Sequence, residues 1–261
     1  MPKLYLPIEH FKKRAEKRKH LQVNICKLAN IAKTSKSLAS YINQIYDQGN
    51  LGSCTANAFC QSHLIQQQQK YVIIKFQPSR LYLYYHERLI EGNVNYDAGA
   101  DVLDGEKFAK NYGICSELLY PYNINKYKTK PSGVAELDAS HHKIASYRIL
   151  NNINDIKQSI NNNIPVCIAI AVYDSFESNI VTNTGVVPLP NTLTEHLLGG
   201  HELCLVGYDD NTQLFLVCNS WGNQWGASIL TKKGNQRGFC YIPYAYLTNT
   251  NLAFEFTAFN I

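Results

Sequence analysis

Three stretches hold residue types that can together break an acyl bond: Gln48-Gly49-Asn50-Leu51-Gly52-Ser53-Cys54, Gly199-Gly200-His201-Glu202-Leu203-Cys204 and Asn219-Ser220-Trp221-Gly222. Cys54 follows a Gly-Ser turn and opens an expected helix, where the positive end of the helix dipole favours thiolate. His201, at the start of a strand far along the chain, could stabilise that thiolate as imidazolium and then protonate a leaving amine. Asn219 could accept a hydrogen bond from the imidazole and fix its orientation. The Gln48 side-chain amide and the Cys54 backbone N–H could converge on one oxygen as the two donors of an oxyanion hole. Hydrolysis of this kind needs no metal and no cofactor. Leu205 stands where a zinc-binding His-Glu-x-x-His pair would need its second histidine.

The elements that must carry these groups change character along the chain. Residues 54–113 read as helical. In the first expected helix, Cys54 to about Lys70, Ala56, Phe59, Cys60 and His63 recur at the spacing of one buried face. His63 there reads as a core histidine, and the glutamines 66–69 as a solvated helix end. Pro78-Ser79 opens a second helix through Leu89, and a third, about 102–111, is closed by Gly113. From about residue 141 the segments 144–150, 164–172, 202–208, 213–218, 239–242 and 252–259 are short, rich in β-branched and aromatic residues, and separated by turn residues. One short helix, about 155–161, interrupts them. A helical half followed by a β half predicts an α+β fold with two lobes, about 45–140 and about 141–261, and a cleft between them.

Composition narrows the classes. With 45% hydrophobic residues and only 15 Gly and 9 Pro in 261, the chain is neither disordered nor fibrous. No apolar run is long enough for a membrane span, and the first ten residues lack the core of a secretory signal. A cytoplasmic or particle-packaged protein is therefore expected rather than one secreted by the standard route. The cysteines, at 26, 54, 60, 115, 167, 204, 218 and 240, form no C-x-x-C pair, and several lie inside apolar runs, where a small buried thiol is the simplest reading. Residues 1–36 carry ten Lys/Arg against two Glu, a balance of +8, which leaves −3 on the rest of a +5 chain. The basicity thus belongs to an extension, residues 1–38, ahead of a catalytic body at 39–261. Few interleaved aromatics and no membrane-facing stripe argue against a nucleic-acid or membrane arm.

Taken in order, the motifs resemble the papain family of cysteine peptidases, in the branch found in bacteria and large DNA viruses, with cathepsin B a more distant relative. Asp47-Gln48-Gly49-x-x-Gly52-Ser53-Cys54, Gly200-His201 with the apolar strand after it, and Asn219-Ser220-Trp221-Gly222 with Trp225-Gly226 carry the likeness. Tyr112-Gly113-Ile114-Cys115-Ser116-Glu117 and Tyr120-Pro121-Tyr122 resemble the linker of the bacterial and viral members. The resemblance implies a two-lobed fold with a helical lobe and a β-barrel-like lobe, and catalytic roles for Cys54, His201, Asn219 and Gln48. It also implies that Trp221 shields the Asn219–His201 bond, that Trp225 walls the leaving-group side, and that Gly99, Ala100 and Gly200 border the substrate. Three departures stand out: Leu51 where the family often has a disulfide-bonded cysteine, Thr55 in place of a tryptophan, and about nine residues, 227–236, that look inserted. Loss of that cysteine position agrees with reduced thiols.

The favoured expectation is a monomeric cysteine peptidase acting on peptides or proteins through a thioester. Transglutaminase- or amidase-type acyl transfer, or a catalytically silent peptide-binding module on the same fold, are the alternatives. His196 is the nearby competitor of His201 for the base, but it lacks the following apolar strand. Residues 1–38, opposite in charge to the body, could lie along the cleft as a short propeptide and hold the enzyme latent.

Overall fold

The structure, a computed structural model, describes Tyr5, Pro7, Ile8 and residues 34–71 and 76–261. Most of the basic extension, including residues 9–33, lies outside the described residues. The helical half is built from α1 (Cys54–Lys70), α2 (Arg80–Ile90), α3 (Val102–Asn111) and the short α4 (Gly133–Ala139). Side chains satisfy their N-terminal amides: Ser79 accepts from Tyr82 N–H, Asp101 from Leu103 N–H and Ser132 from Ala135 N–H.

The second half is an antiparallel sheet. Its strands are β1 (Ser35–Ser37), β2 (Ser146–Ile149), β3 (Val166–Tyr173), β4 (Leu197–Asp209), β5 (Leu214–Cys218), β6 (Ala227–Thr231), β7 (Gly234–Pro243) and β8 (Ala253–Asn260). They pair in the order β2-β8-β3-β4-β5-β7-β6, with β1 added to β4. Three helices, α5 (Ile153–Asn161), α6 (Asn179–Thr184) and α7 (Tyr244–Thr248), decorate it. β1 falls within the residues read as the extension and ties the end of that extension to the sheet. The segment 227–236, which looks inserted in the sequence, is the β6–β7 hairpin: Ala227 pairs with Phe239 and Thr231 with Gly234.

Two apolar clusters define the lobes. One gathers Leu81, Phe108, Ile114 and Tyr120 around one side of α1. The other gathers Ile168, Leu205, Phe215 and Phe239 on the sheet, and α1 reaches it through Ala58 and Ile65. α1 therefore lies between the lobes, buried from Cys54 through Gln68. This corrects the reading of glutamines 66–69 as a solvated end. Gln66 donates to Phe259 O (3.0 Å), Gln67 to Phe76 O (2.7 Å) and Gln69 to Asn163 O (2.8 Å). Side-chain amides here satisfy buried and half-buried backbone carbonyls. His63, whose Nδ1 lies 2.9 Å from Gln67 Nε2, is held neutral by burial, its pKa lowered to about 3.

Candidate active site

A short ladder across the lobes assembles the site. Gln48 N–H donates to Ser220 O and Gly222 N–H to Tyr46 O, each at 2.9 Å, with Asp47 and Trp221 paired between them. The stretch ahead of Cys54 is thereby laid antiparallel to the stretch carrying Asn219. Gly222 makes the approach possible: its φ is +73°, and a Cβ there would lie 3.1 Å from Asp47 Oδ2. The Gln48 side chain is fixed at both ends of its amide. Oε1 accepts from Ser220 Oγ (2.6 Å) and Nε2 donates to Leu51 O (3.0 Å), so one of its two N–H groups remains for another acceptor.

In β4, His201 is buried and its Nε2 lies 2.8 Å from Asn219 Oδ1. An amide oxygen only accepts, so Nε2 carries the proton and Nδ1 is the basic nitrogen. Asn219 Oδ1 also accepts from Ser220 N–H (2.8 Å), which fixes the rotamer. The Trp221 indole stacks on the imidazole at 4.9 Å and 25°, and Trp225 stands nearly edge-on to Trp221 at 5.0 Å. Phe176 completes the wall, 5.5 Å from Trp221 and 5.8 Å from Trp225.

Cys54, the first residue of α1, is only 2% exposed. Burial pushes its thiol up to about 12, and the nearby Glu202 and Glu87 carboxyls add to the rise. The backbone N–H groups of Glu202 and Thr55 pull the other way. The sequence argument for a dipole-favoured thiolate does not describe this covered arrangement, because desolvation outweighs the helix terminus. The same contact shows where the sulfur lies: against the amide of the residue that follows His201. Glu202 is itself fully buried, and desolvation raises its carboxyl well above the usual range.

Gly99 has φ +68° and its N–H donates to the Tyr84 hydroxyl (3.1 Å). Ala100 next to it is buried, and Gly200 is buried in β4 opposite Ala171. His196 is 88% exposed and bonds Asp174 through Nδ1 (2.8 Å), which leaves it outside the assembly around Cys54.

Four residues outside the predicted site support it. Asp97 accepts from Gly52 N–H (3.1 Å) and from the Tyr84 hydroxyl, tying the Gly99 loop to the turn before Cys54. Arg80 is buried, pairs with Glu117 (2.7 Å), and lies over the rings of Tyr46 and Tyr122 at 4.1 and 3.8 Å. The Tyr122 hydroxyl donates to Gln48 O (3.0 Å). Tyr5 stands edge-on to His201 at 6.3 Å and to Trp221 at 6.4 Å, and its hydroxyl donates to Glu177. Only Tyr122 had a signal, in its Tyr-Pro-Tyr context; the others act through partners remote in sequence. Among the described residues, all cysteines are free and buried, and no group of three or more His, Cys, Asp or Glu could hold a metal ion. No helix among them is long and apolar enough to cross a membrane.

An α+β fold with a cysteine at a helix start and a buried His–Asn pair on the sheet fits a thiol-dependent acyl-transfer enzyme. The comparisons are narrower. The family model described as papain family cysteine protease matches residues 31–247. An uncharacterized peptidase C1-like protein of Acanthamoeba polyphaga mimivirus is 35% identical over 219 residues, 80% of this chain and 67% of its own. Xylellain, a cysteine protease from Xylella fastidiosa, superposes with a TM-score of 0.75 at 34% identity, covering 87% of this chain and 86% of that one. A procathepsin B from Trypanosoma congolense shares the fold at a TM-score of 0.69 and 16% identity, over 96% and 88% of the two chains. The chain belongs to the papain family of cysteine proteases.

Proposed function

We propose that Cys54 and His201 hydrolyse peptide bonds through a thioester, and that the N-terminal extension holds the enzyme latent. The observation that carries the first part is the His201 Nε2–Asn219 Oδ1 bond under Trp221, with the Cys54 sulfur against the Glu202 amide. When the cleft is open, the sulfur gives its proton to His201 Nδ1 and attacks the substrate carbonyl carbon. The tetrahedral oxyanion is held by Cys54 N–H and the remaining Gln48 amide hydrogen. Collapse expels the amine, which takes the proton from Nδ1, and leaves an acyl thioester. Water, deprotonated by Nδ1, then displaces the sulfur and releases the acid. Gly99, Ala100 and Gly200 border the acyl side, and Trp221 and Trp225 border the leaving group.

Latency is supported by Tyr5 over His201 and by the raised Cys54 thiol, a neutral and weakly nucleophilic state. The +8 extension against a −3 body favours docking that salt screens. The test is purified Cys54→Ala, which should lose peptide cleavage and labelling by a thiol-directed epoxide; retained turnover ends the assignment. For latency, Tyr5→Ala and removal of residues 1–33, which spares β1, should each raise activity. Unchanged activity in folded protein rejects the second part.

A further inference from the structure

The leaving-group wall is aromatic: Trp221 flat on His201, Trp225 edge-on to Trp221, and Phe176 against both. Tyr5 already occupies ground along this wall, edge-on to His201 and Trp221. One polar group meets its outer end, the carboxylate of Glu177, which accepts the phenol hydrogen. Ile8, three residues on, is buried. We infer that the ground Tyr5 occupies is a subsite for a substrate tyrosine on the leaving-group side of the scissile bond, and that Glu177 determines its specificity by accepting the hydroxyl.

The inference rests on the peptidase reading and adds to it a side-chain preference. An aromatic wall holds Phe and Tyr alike, through area and edge-to-face contact. Glu177 is what separates them, because a carboxylate accepting a phenol makes a charge-assisted bond that phenylalanine cannot make. Sites built to bond a substrate hydroxyl reject the analogue without it by large factors when the abandoned group is buried. Glu177 is exposed, and water takes the place of the missing hydroxyl, so the factor here is about tenfold. The phenol remains a donor through the working pH range, since burial and the neighbouring carboxylate raise its ionisation above the ordinary tyrosine value. The same carboxylate disfavours Asp or Glu at this position by like-charge repulsion.

The test uses the full-length Tyr5→Ala chain, which vacates the subsite, and internally quenched peptides of one sequence. The peptides carry Tyr, Phe or Glu at the first or the second position after the scissile bond. At one of these positions kcat/KM should be about tenfold higher for Tyr than for Phe, with Glu lowest. Adding Glu177→Leu should bring the Tyr/Phe ratio to about one, and adding Glu177→Gln should leave it intermediate. The ratio is taken within one preparation, so any unfolded fraction cancels. Equal cleavage of the Tyr and Phe peptides at both positions overturns the inference and leaves the peptidase reading standing, as does a preference that survives Glu177→Leu. Absence of cleavage of every peptide by folded protein overturns both.

Discussion

The two walls of the cleft hold their reactive groups by different means. On the helical side, Cys54 and Gln48 rest on polar and charged contacts: Asp97 on the Gly52 amide, Tyr122 on the Gln48 carbonyl, and Arg80 between two aromatic rings and Glu117. On the sheet side, β-sheet register places His201, Asn219 follows the last residue of β5, and Trp221, Trp225 and Phe176 pack together beside their bond. The helical wall must shape irregular backbone around the nucleophile, and loops expose amides and carbonyls that only polar partners satisfy. Neighbouring strands satisfy one another's backbone groups, so their side chains are free to pack by area.

The contrast predicts unequal responses to substitution. Arg80→Ala leaves Glu117 unpaired in a mostly buried place and should cost about 3–5 kcal/mol. The loss is read as a lower denaturation midpoint in urea, and a cost below 1 kcal/mol would mean that the helical wall does not depend on its ion pair. Asn219→Ala should spare the fold but misorient His201, lowering kcat/KM about 100-fold. A stability loss with unchanged kcat/KM would reverse the assignment of that wall to positioning. Asp97→Ala, which frees the Gly52 amide from a charged acceptor, should cost about 2 kcal/mol by the same unfolding measurement.

Alkaline pH acts on both walls. Burial raises Cys54, Cys115 and Cys218 from 9.0 to about 12. The folded chain then holds protons that the unfolded chain has released. Their contribution is fully present below pH 9 and is lost as pH rises toward 12. Unfolding midpoints should fall through that window; a flat profile would mean the thiols are not desolvated. Gln67→Leu, which strands the Phe76 carbonyl, should cost about 1 kcal/mol, the smallest effect here.

Much of the arrangement was legible in the residues themselves. The helix from Cys54, the two after it, and the strands around His201 and Asn219 follow from periodicity and from turn residues at their ends. Legibility failed where a residue's role depends on a partner remote in sequence. Gln66 and Gln67 read as solvated because glutamine in a helix usually is, yet Phe259 and Phe76 present carbonyls to them. The 227–236 segment was read only as added length, and the hairpin that Thr231 and Gly234 close within it was not seen. Arg80 carried no motif, Asp97 stood beside the Gly99-Ala100 loop without a role of its own, and Tyr5 lay in a stretch read for its charge. The covered state of the Cys54 thiol was not legible for a related reason: a helix terminus is visible in sequence, and the burial that raises the thiol is not.

The most direct measurement is the rate of Cys54 alkylation by iodoacetamide against pH, in the full-length Tyr5→Ala chain with and without His201→Ala. The account predicts rapid alkylation at pH 6 in the first chain and its loss in the second, because the imidazolium sustains the thiolate. Slow alkylation at pH 6 in both, rising on a single alkaline limb that His201→Ala leaves unmoved, would contradict it.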